Sequence, residues 1–399
     1  MNVSASSANQ SIATSNAQPK RLGGPKQIES PKRRLSLVIS SLRLGGAQRV
    51  LVTLAREWIR QGHAVSFVTN AGADQDFYSL PKSVRRESLN LECSNQSRLS
   101  RVIAPGKRIL RLRRALQRQR PDVVISFCDR TNLETLLATR GINVPVIVSE
   151  RTNPHQNPQH WPWPLLRRQL YPLASCMVVQ TTAVGRHTQS HAPGTRVTTI
   201  ANPLRPLAEN SPQTNRLETI VAVGRLDPCK GLDTLIAAFA TIHERYPSWT
   251  VQIIGEGSER TALTALVAKL NLQHRIHFVG QTQHPEEYLA TAGIYVLPSR
   301  WEGFPNSLLE AMAAGCPCLA ADCDFGPAEL IHHGKNGLLT PVDDATTLAS
   351  HLEQLMTDAK LRTQLGQRAS EVHQEYRLSS IIQQWNNLVE QVMAETSRT

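Results

Sequence analysis

Three things are missing from this chain of 399 residues, and each absence removes a class of protein. No apolar run reaches the roughly 18 residues that a membrane-spanning helix needs, so no span is expected. No apolar segment near the start reads as a secretory signal. The seven cysteines, an odd number, are scattered without a spaced framework, which fits a reducing compartment rather than a disulfide scaffold. Cys316, Cys318 and Cys323 lie close enough together to raise a metal site. No histidine stands at a finger-like spacing from them, and small apolar residues at a helix–strand junction explain the same letters, so no metal is expected. The basic stretches are accompanied by no zinc-finger, homeodomain or RNA-binding motif, which makes nucleic acid a poor partner.

What is present points to two domains. The chain is too long for one core and, at 40% hydrophobic, has enough to bury two. The net charge of +12 is unevenly spread: residues 1–205 carry +20 and residues 206–399 carry −8. The basic half is therefore the half that can act on an anionic partner. Residues 1–33, rich in Ser, Ala, Asn and Gln and then basic, read as a disordered tail that can help hold an anionic surface.

From residue 34 to 205 the chain alternates strand and helix patterns. Leu35–Ile39 is a short apolar run, hence a buried strand; Gly45-Gly46 follows, then a helical pattern over Ala47–Arg60 ended by Gly62, then a strand over Ala64–Val68. A glycine turn at the carboxyl end of a strand in a βαβ unit is where doubly wound folds bind ligands. Residues 101–120 hold eight basic residues and no acidic one, with Ile109, Leu112 and Leu116 at helical spacing. This is a basic amphipathic helix, readable as a core-facing helix with a solvated face or as a surface for anionic lipid, two compatible roles. Further strands are expected over Val123–Phe127, Val146–Ser149, Met177–Gln180 and Val197–Ile200. Asp129, Arg130, Glu150 and Arg151 follow two of these strands, with His155 beyond them, and are candidates for an acceptor site. Trp161-Pro162-Trp163-Pro164-Leu165-Leu166, followed by Arg167-Arg168, reads as partly buried core or as an edge at a lipid interface. Residues 206–217 read as a linker.

The second half repeats the alternation over 218–375. Strands are expected at Thr219–Val223, Val251–Ile254, Ile276–Val279, Ile294–Leu297, Cys318–Ala321 and Leu338–Thr340, with a helix over Leu232–Tyr246. Residues 376–399 contain a last helix, Gln383–Val392. Arg225 and Lys230 are cations beside a glycine-flanked loop, one a planar fork and one a point charge, both suited to phosphate. The run from Ser299 to Gly315 is a loop and then a helix over Ser307–Ala314, with Pro305 suited to its first helical position. Free amides and the positive dipole end there make an anion seat, bracketed by Glu302 and Glu310.

Several of these strings resemble the retaining glycosyltransferases of family 4, which have the α/β GT-B fold, two Rossmann-like domains facing across a cleft. Glu302-Gly-Phe-Pro-x-x-x-x-Glu310 is similar to the family's Glu-x7-Glu segment, and Gly224-Arg225-Leu-x-x-x-Lys230-Gly231 to its phosphate loop. Gly255-x-Gly257, Gly326-Pro327-x-Glu329 and Gly334-x-Asn336-Gly337 match further segments of the family, and Gly45-Gly46-Ala47-Gln48-Arg49 resembles its opening, with Gln48 in place of Glu. Ser149-Glu150-Arg151-Thr152-Asn153-Pro154 resembles a segment frequent in the exopolysaccharide and lipopolysaccharide branch. The histidine that many members place after the strand ending at Phe127 is absent; Cys128-Asp129 stands there.

The resemblance implies a hexosyltransferase moving a sugar from a nucleotide-sugar, a UDP-sugar, with retention. Its acceptor would be a lipid-linked glycan or polysaccharide precursor at the inner, cytoplasmic face of a membrane, and no cofactor beyond the nucleotide-sugar is implied. It implies an acceptor-binding first domain and a donor-binding second one, with the last helix crossing back to the first. Arg225, Lys230 and Glu302 would carry the chemistry. Gly45, Gly46, Gly224, Gly255, Gly257, Gly303, Phe304, Pro305 and Asn306 would line the donor, and Glu310 would bind the ribose hydroxyls. The competing readings are a GT-B sugar-nucleotide 2-epimerase, which needs no acceptor, a glycoside hydrolase using the Glu302 and Glu310 pair, and a basic membrane-associated scaffold with no activity.

Overall fold

The computed structural model describes residues 32–90, 98–151, 163–205 and 216–398, with the side chains of 98–105 excepted. The expected tail up to residue 31, most of the expected linker, and Thr152, Asn153, Pro154, His155, Trp161 and Pro162 lie outside the described residues.

Apolar runs bounded by turns form two all-parallel sheets, because only a sheet covered on both faces buries continuous apolar strands. The first sheet comprises β1 (Arg34–Ile39), β2 (Ala64–Thr69), β3 (Arg85–Ser88), β4 (Val123–Phe127), β5 (Val146–Ser149), β6 (Cys176–Val179) and β7 (Val197–Thr199), in the order β3-β2-β1-β4-β5-β6-β7. The second comprises β8 (Thr219–Val223), β9 (Thr250–Ile254), β10 (Ile276–Gly280), β11 (Ile294–Leu297), β12 (Cys318–Ala321) and β13 (Leu338–Thr340), in the order β10-β9-β8-β11-β12-β13. Each order reverses once, between β1 and β4 (Leu35 opposite Val123) and between β8 and β11 (Ile294 opposite Ile220). These are the topological switch points, where chain connections leave to opposite faces and open a crevice at the carboxyl ends of the strands. The molecule is thus two Rossmann-like α/β domains, and both crevices open on one cleft.

The last helix, Leu378–Thr396, belongs to the first core although it follows the second sheet in sequence. Trp385 is fully buried between Trp58 (edge-on, centroids 6.1 Å apart) and Phe127 (6.1 Å). Trp58 Nε1 donates to Asn386 Oδ1 at 2.8 Å, and Arg33 pairs with Glu390 at 2.7 Å. Truncating a buried Trp typically costs several kcal/mol, so this helix is part of the first domain's stability.

Several elements differ from their sequence expectation. β3 went unforeseen because Arg-Arg-Glu-Ser has no apolar pattern; it is an edge strand held by the backbone ladder to β2. The helix expected over Leu232–Tyr246 ends at Ile242, and residues 243–246 turn while Tyr246 still packs on the core. The helix after the Glu302 loop spans Asn306–Ala313, and Pro305 is its cap rather than its first helical residue. Its ψ of 78° is not helical, yet its carbonyl accepts the first helical bond, from the Leu309 amide at 3.1 Å. Residues 129–139, for which no element was expected, are helical from Asp129 onward, with Cys128 turning the chain at φ 74°.

The basic helix spans Arg98–Gln119 and turns Leu112, Ala115 and Leu116 into the core. Much of its charge is engaged internally: Arg108 pairs with Glu134 at 2.8 Å, Arg113 donates to the carbonyls of Ala138 and Arg140, and Arg118 pairs with Glu87. Lys107 and Arg114 are exposed, beside the exposed side chain of Leu110. Among the described residues no helix is long and apolar enough to cross a membrane. Cys316, Cys318 and Cys323 are buried thiols, and burial pushes the Cys316 and Cys323 thiols up to about 12. Among the described residues no group of side chains is arranged to hold a metal ion.

Candidate functional site

A cleft of about 490 Å³ is lined by the loop after β1, by the loops after β8, β9 and β11, and by Arg151 and Asn202 of the first domain. Its second-domain wall depends on close backbone approach. Gly255 has φ 139° and sits against the Gly224 carbonyl, so a β-carbon there would clash with backbone that cannot move aside. Gly257 lies behind this wall, packed against the Leu226 backbone, and is not among the residues that line the cleft.

Lys230 ends a short 3₁₀ turn, Pro228–Lys230, and its ammonium reaches Glu302 Oε1 at 2.6 Å. Ser299 Oγ donates to the same carboxylate oxygen at 2.7 Å. Burial disfavours the lysine charge, but the adjacent carboxylate outweighs it and holds Lys230 above its usual range. Arg225 stands at the mouth of the same loop with its side chain 66% exposed, paired to Asp227 at 2.9 Å. Gly303, Phe304, Pro305 and Asn306 carry the wall onward to the N-terminus of the helix Asn306–Ala313, the positive end of its dipole. Glu310 lies one turn in, 6% exposed, and also faces the cleft.

The first domain reaches the same space. Gly45 and Gly46 line it, and Arg49, one turn into the helix Gly46–Arg60, pairs with Glu310 at 3.0 Å. Asn202 Nδ2 donates to Asn306 Oδ1 at 3.0 Å and accepts from Arg151, whose guanidinium stacks on Phe127 at 3.8 Å from the ring centroid. Burial pushes Arg151 down to about 9.

Of the four acceptor candidates the structure brings only Arg151 to the cleft. Glu150 is fully buried, accepting from Tyr171 Oη at 2.9 Å and pairing with Arg167. Asp129 is 8% exposed and accepts from the Arg130 amide at 2.6 Å at the start of its helix. Arg130 pairs with Glu134 at 3.3 Å and lies over the Trp163 ring. All three are engaged within the first domain, Asp129 and Arg130 by near neighbours in sequence and Glu150 by Tyr171 and Arg167, and none lines the cleft. Arg49, Asn202 and Arg205 line the cleft and were missed; only the Gly45–Arg49 string carried a signal for the first.

Two family models match the chain: "Glycosyl transferase 4-like domain" over residues 45–203 and "Glycosyl transferases group 1" over 207–372. Among curated relatives, an uncharacterized glycosyltransferase of Haemophilus influenzae is 26% identical over 86% of this chain and 96% of its own length. A Campylobacter jejuni alpha-1,4-N-acetyl-D-galactosaminyltransferase, named as acting on a GalNAc-containing glycan on diphospho-undecaprenol, is 28% identical over 90% of this chain and 99% of its own. Among solved structures, TarM superposes with a TM-score of 0.77 at 15% identity, covering 91% of this chain and 99% of that one. HepE of Anabaena, in complex with UDP and glucose, superposes with a TM-score of 0.72 at 19% identity, covering 90% and 99%. At such identities the superpositions establish the fold. The two family models between them span most of the chain on either side of the cleft, and the protein belongs to the group 1, family 4-like glycosyltransferases of GT-B fold.

Proposed function

We propose that the enzyme is a retaining hexosyltransferase that moves a sugar from a UDP-sugar to a hydroxyl of a lipid-linked glycan or polysaccharide precursor. The observation that carries this reading is the Lys230–Glu302 pair at 2.6 Å, set in one cleft with Arg225, a helix N-terminus and the nearly buried Glu310. Two cations and a set of amides suit a leaving diphosphate, and a carboxylate one turn into the helix suits a ribose diol. The C. jejuni relative's lipid-linked acceptor and the UDP complex of HepE support the substrate classes.

In this mechanism the bond to the diphosphate breaks first and positive charge builds on the sugar. Arg225, Lys230 and the N-terminus of the helix Asn306–Ala313 stabilise the departing diphosphate, which is the larger part of the enzyme's task. Glu302 receives both of its hydrogen bonds on Oε1, so its second oxygen can accept from a sugar hydroxyl. The acceptor attacks from the leaving-group face, and a phosphate oxygen takes its proton. A first-domain histidine is then not required, in line with Cys128 and Asp129 at that place. No residue is assigned to a metal.

The acceptor's lipid is held at an anionic membrane surface in this reading. The exposed Leu110, Leu165 and Leu173 and the exposed cations Lys107, Arg114 and Arg168 suit it. Each basic group adds about 1 kcal/mol in the lipid field, so several together recruit the enzyme reversibly. Sedimentation with phosphatidylserine-rich vesicles tests this, and recovery of all protein in the supernatant overturns it.

Thermal unfolding with UDP, GDP and ADP, on wild type and Glu310→Ala, tests the donor site. Ligand at about 100 times its dissociation constant adds roughly 2.7 kcal/mol. Selective stabilisation by UDP, absent in Glu310→Ala, is the expected result; no stabilisation by any nucleotide sinks the donor-site assignment.

A further inference from the structure

The seat proposed for the donor is not built by the second domain alone. Glu310 is ion-paired across the cleft to Arg49, Nη2 to Oε1 at 3.0 Å, with the two side chains only 11% and 8% exposed. The other cations of the cleft have different partners: Lys230 is on Glu302, Arg225 on Asp227, Arg205 on Glu286, and Arg151 on the Asn202 amide oxygen. Arg49 is the one whose recorded partner is the carboxylate assigned to ribose. Arg49 and a ribose diol are therefore two claimants on one carboxylate.

A nucleotide-sugar changes the balance between them. It brings hydroxyls that donate to Glu310 and, a few ångströms away, a diphosphate that needs cations. A guanidinium matches phosphate with a planar, two-pronged set of donors. Its base, the helix Gly46–Arg60, starts at Gly45-Gly46 in the cleft wall, and Arg49 is fixed there by the bond from its amide to the Gly45 carbonyl at 3.1 Å. The side chain can exchange partners without moving its helix.

We propose that Arg49 is the first-domain residue of the donor site. It holds Glu310 until the ribose hydroxyls take that carboxylate, then bonds the donor's diphosphate, so that both domains grip one nucleotide. This rests on the donor-site reading above and adds a residue and an exchange to it.

The test is calorimetric titration of UDP and of uridine, which lacks the diphosphate, into wild type, Arg49→Met, Glu310→Gln and the double variant. Arg49→Met is expected to weaken UDP about tenfold or more, the worth of a charge-assisted hydrogen bond, while uridine binds as well or better because its competitor is gone. Glu310→Gln weakens both. In the Glu310→Gln background, Arg49→Met still costs UDP about tenfold, because the phosphate contact does not pass through Glu310. Equal weakening of UDP and uridine by Arg49→Met, no weakening of either, or loss of its effect in the Glu310→Gln background each overturns the proposal. The last of these leaves Arg49 as a prop for Glu310 only. The donor-site reading survives those outcomes and falls separately, if wild type fails to bind UDP or Glu310→Gln binds both ligands normally. Should Arg49→Met lose its fold in thermal unfolding, Arg49→Lys carries the same test: it keeps the charge, loses the fork, and still weakens UDP selectively.

Discussion

The two domains both place buried carboxylates after strands of the same kind of sheet and use them in opposite ways. Asp129 and Glu150 follow β4 and β5 of the first sheet; Glu302 and Glu310 follow β11 of the second. All four are nearly or fully buried, and each lies in the loop or helix that follows the carboxyl end of a strand, the side on which doubly wound folds place their ligands. Only the second pair faces the cleft. The difference lies in the donors around them. Glu150 is met from inside its own domain by Tyr171 and Arg167, and a fully enclosed carboxylate with both is structural. Burial first, and then the Glu150 charge, push the Tyr171 hydroxyl well above its usual range, so the phenol stays a donor. Glu302 is met by a lysine whose own loop forms the cleft wall. Both cations are 18% exposed, so the difference is one of place: the Lys230–Glu302 pair lines the cleft, and the Arg167–Glu150 pair does not.

That contrast can be broken from either side. Lys230→Ala is expected to have the largest effect, about 10²- to 10³-fold in kcat, the range found on removing one donor to a developing anion. Steady-state rates with a nucleotide-sugar measure it, and a loss below tenfold would remove Lys230 from the leaving-group role. Glu150→Ala should do the reverse. It strands Arg167 in a buried site and costs about 3 kcal/mol of unfolding free energy, read by denaturant titration, while UDP affinity stays as in wild type. If Glu150→Ala folds as wild type and loses transfer activity, the inward reading of Glu150 is wrong.

Alkaline titration sharpens the second-domain half of the comparison. Lys230 sits above its ordinary 10.5 in the folded state, so the folded protein binds its proton more tightly. The stability this contributes is fully present below about 10.5 and is lost as pH rises through the raised folded value. Glu302→Gln removes the partner, and the slope of stability against pH above about 10 should flatten relative to wild type.

How far the sequence alone reaches follows from where each signal lives. The buried parallel strands are legible as continuous apolar runs, because burial on both faces leaves no other pattern, and Val123–Phe127 and Ile294–Leu297 match residue for residue. β3 is not legible, since its place is fixed by a ladder to β2 rather than by its own side chains. The cleft's second-domain wall is legible because loop, glycines and charged groups are contiguous in sequence. The first-domain contribution is legible only in part: Gly45, Gly46 and Arg151 stand out beside strand ends, but Arg49 and Asn202 reach the cleft from separate segments, through partners as far off as Glu310 and Asn306. Helix ends mislead for a similar reason: Pro305 suits a first helical position by propensity, and the bond it accepts from Leu309 makes it the cap.

The smallest expected effect concerns a contact that joins the two domains without facing the donor. The helix Thr182–His191 of the first domain has four amides at its N-terminus to satisfy. Its own cap, Thr181, accepts from the Val184 amide at 3.2 Å. Glu329 of the second domain accepts from the Thr182 and Ala183 amides at 3.2 and 3.1 Å, and from Thr182 Oγ1 at 3.1 Å. One helix end is thus capped half by its own domain and half by the other, so the Glu329 bonds exist only while the domains hold this mutual position. Glu329→Ala should cost about 1 kcal/mol, less in high salt, since a carboxylate at a helix N-terminus acts partly through a screened charge–dipole attraction. Thr181→Ala should cost a similar amount, but with no salt dependence, because its hydroxyl is neutral and stays inside one domain. Denaturant titrations of both variants at low and high salt measure the two. Equal salt dependence would mean that Glu329 does not hold the helix end in solution, and the contact between domains at this point would have to be given up.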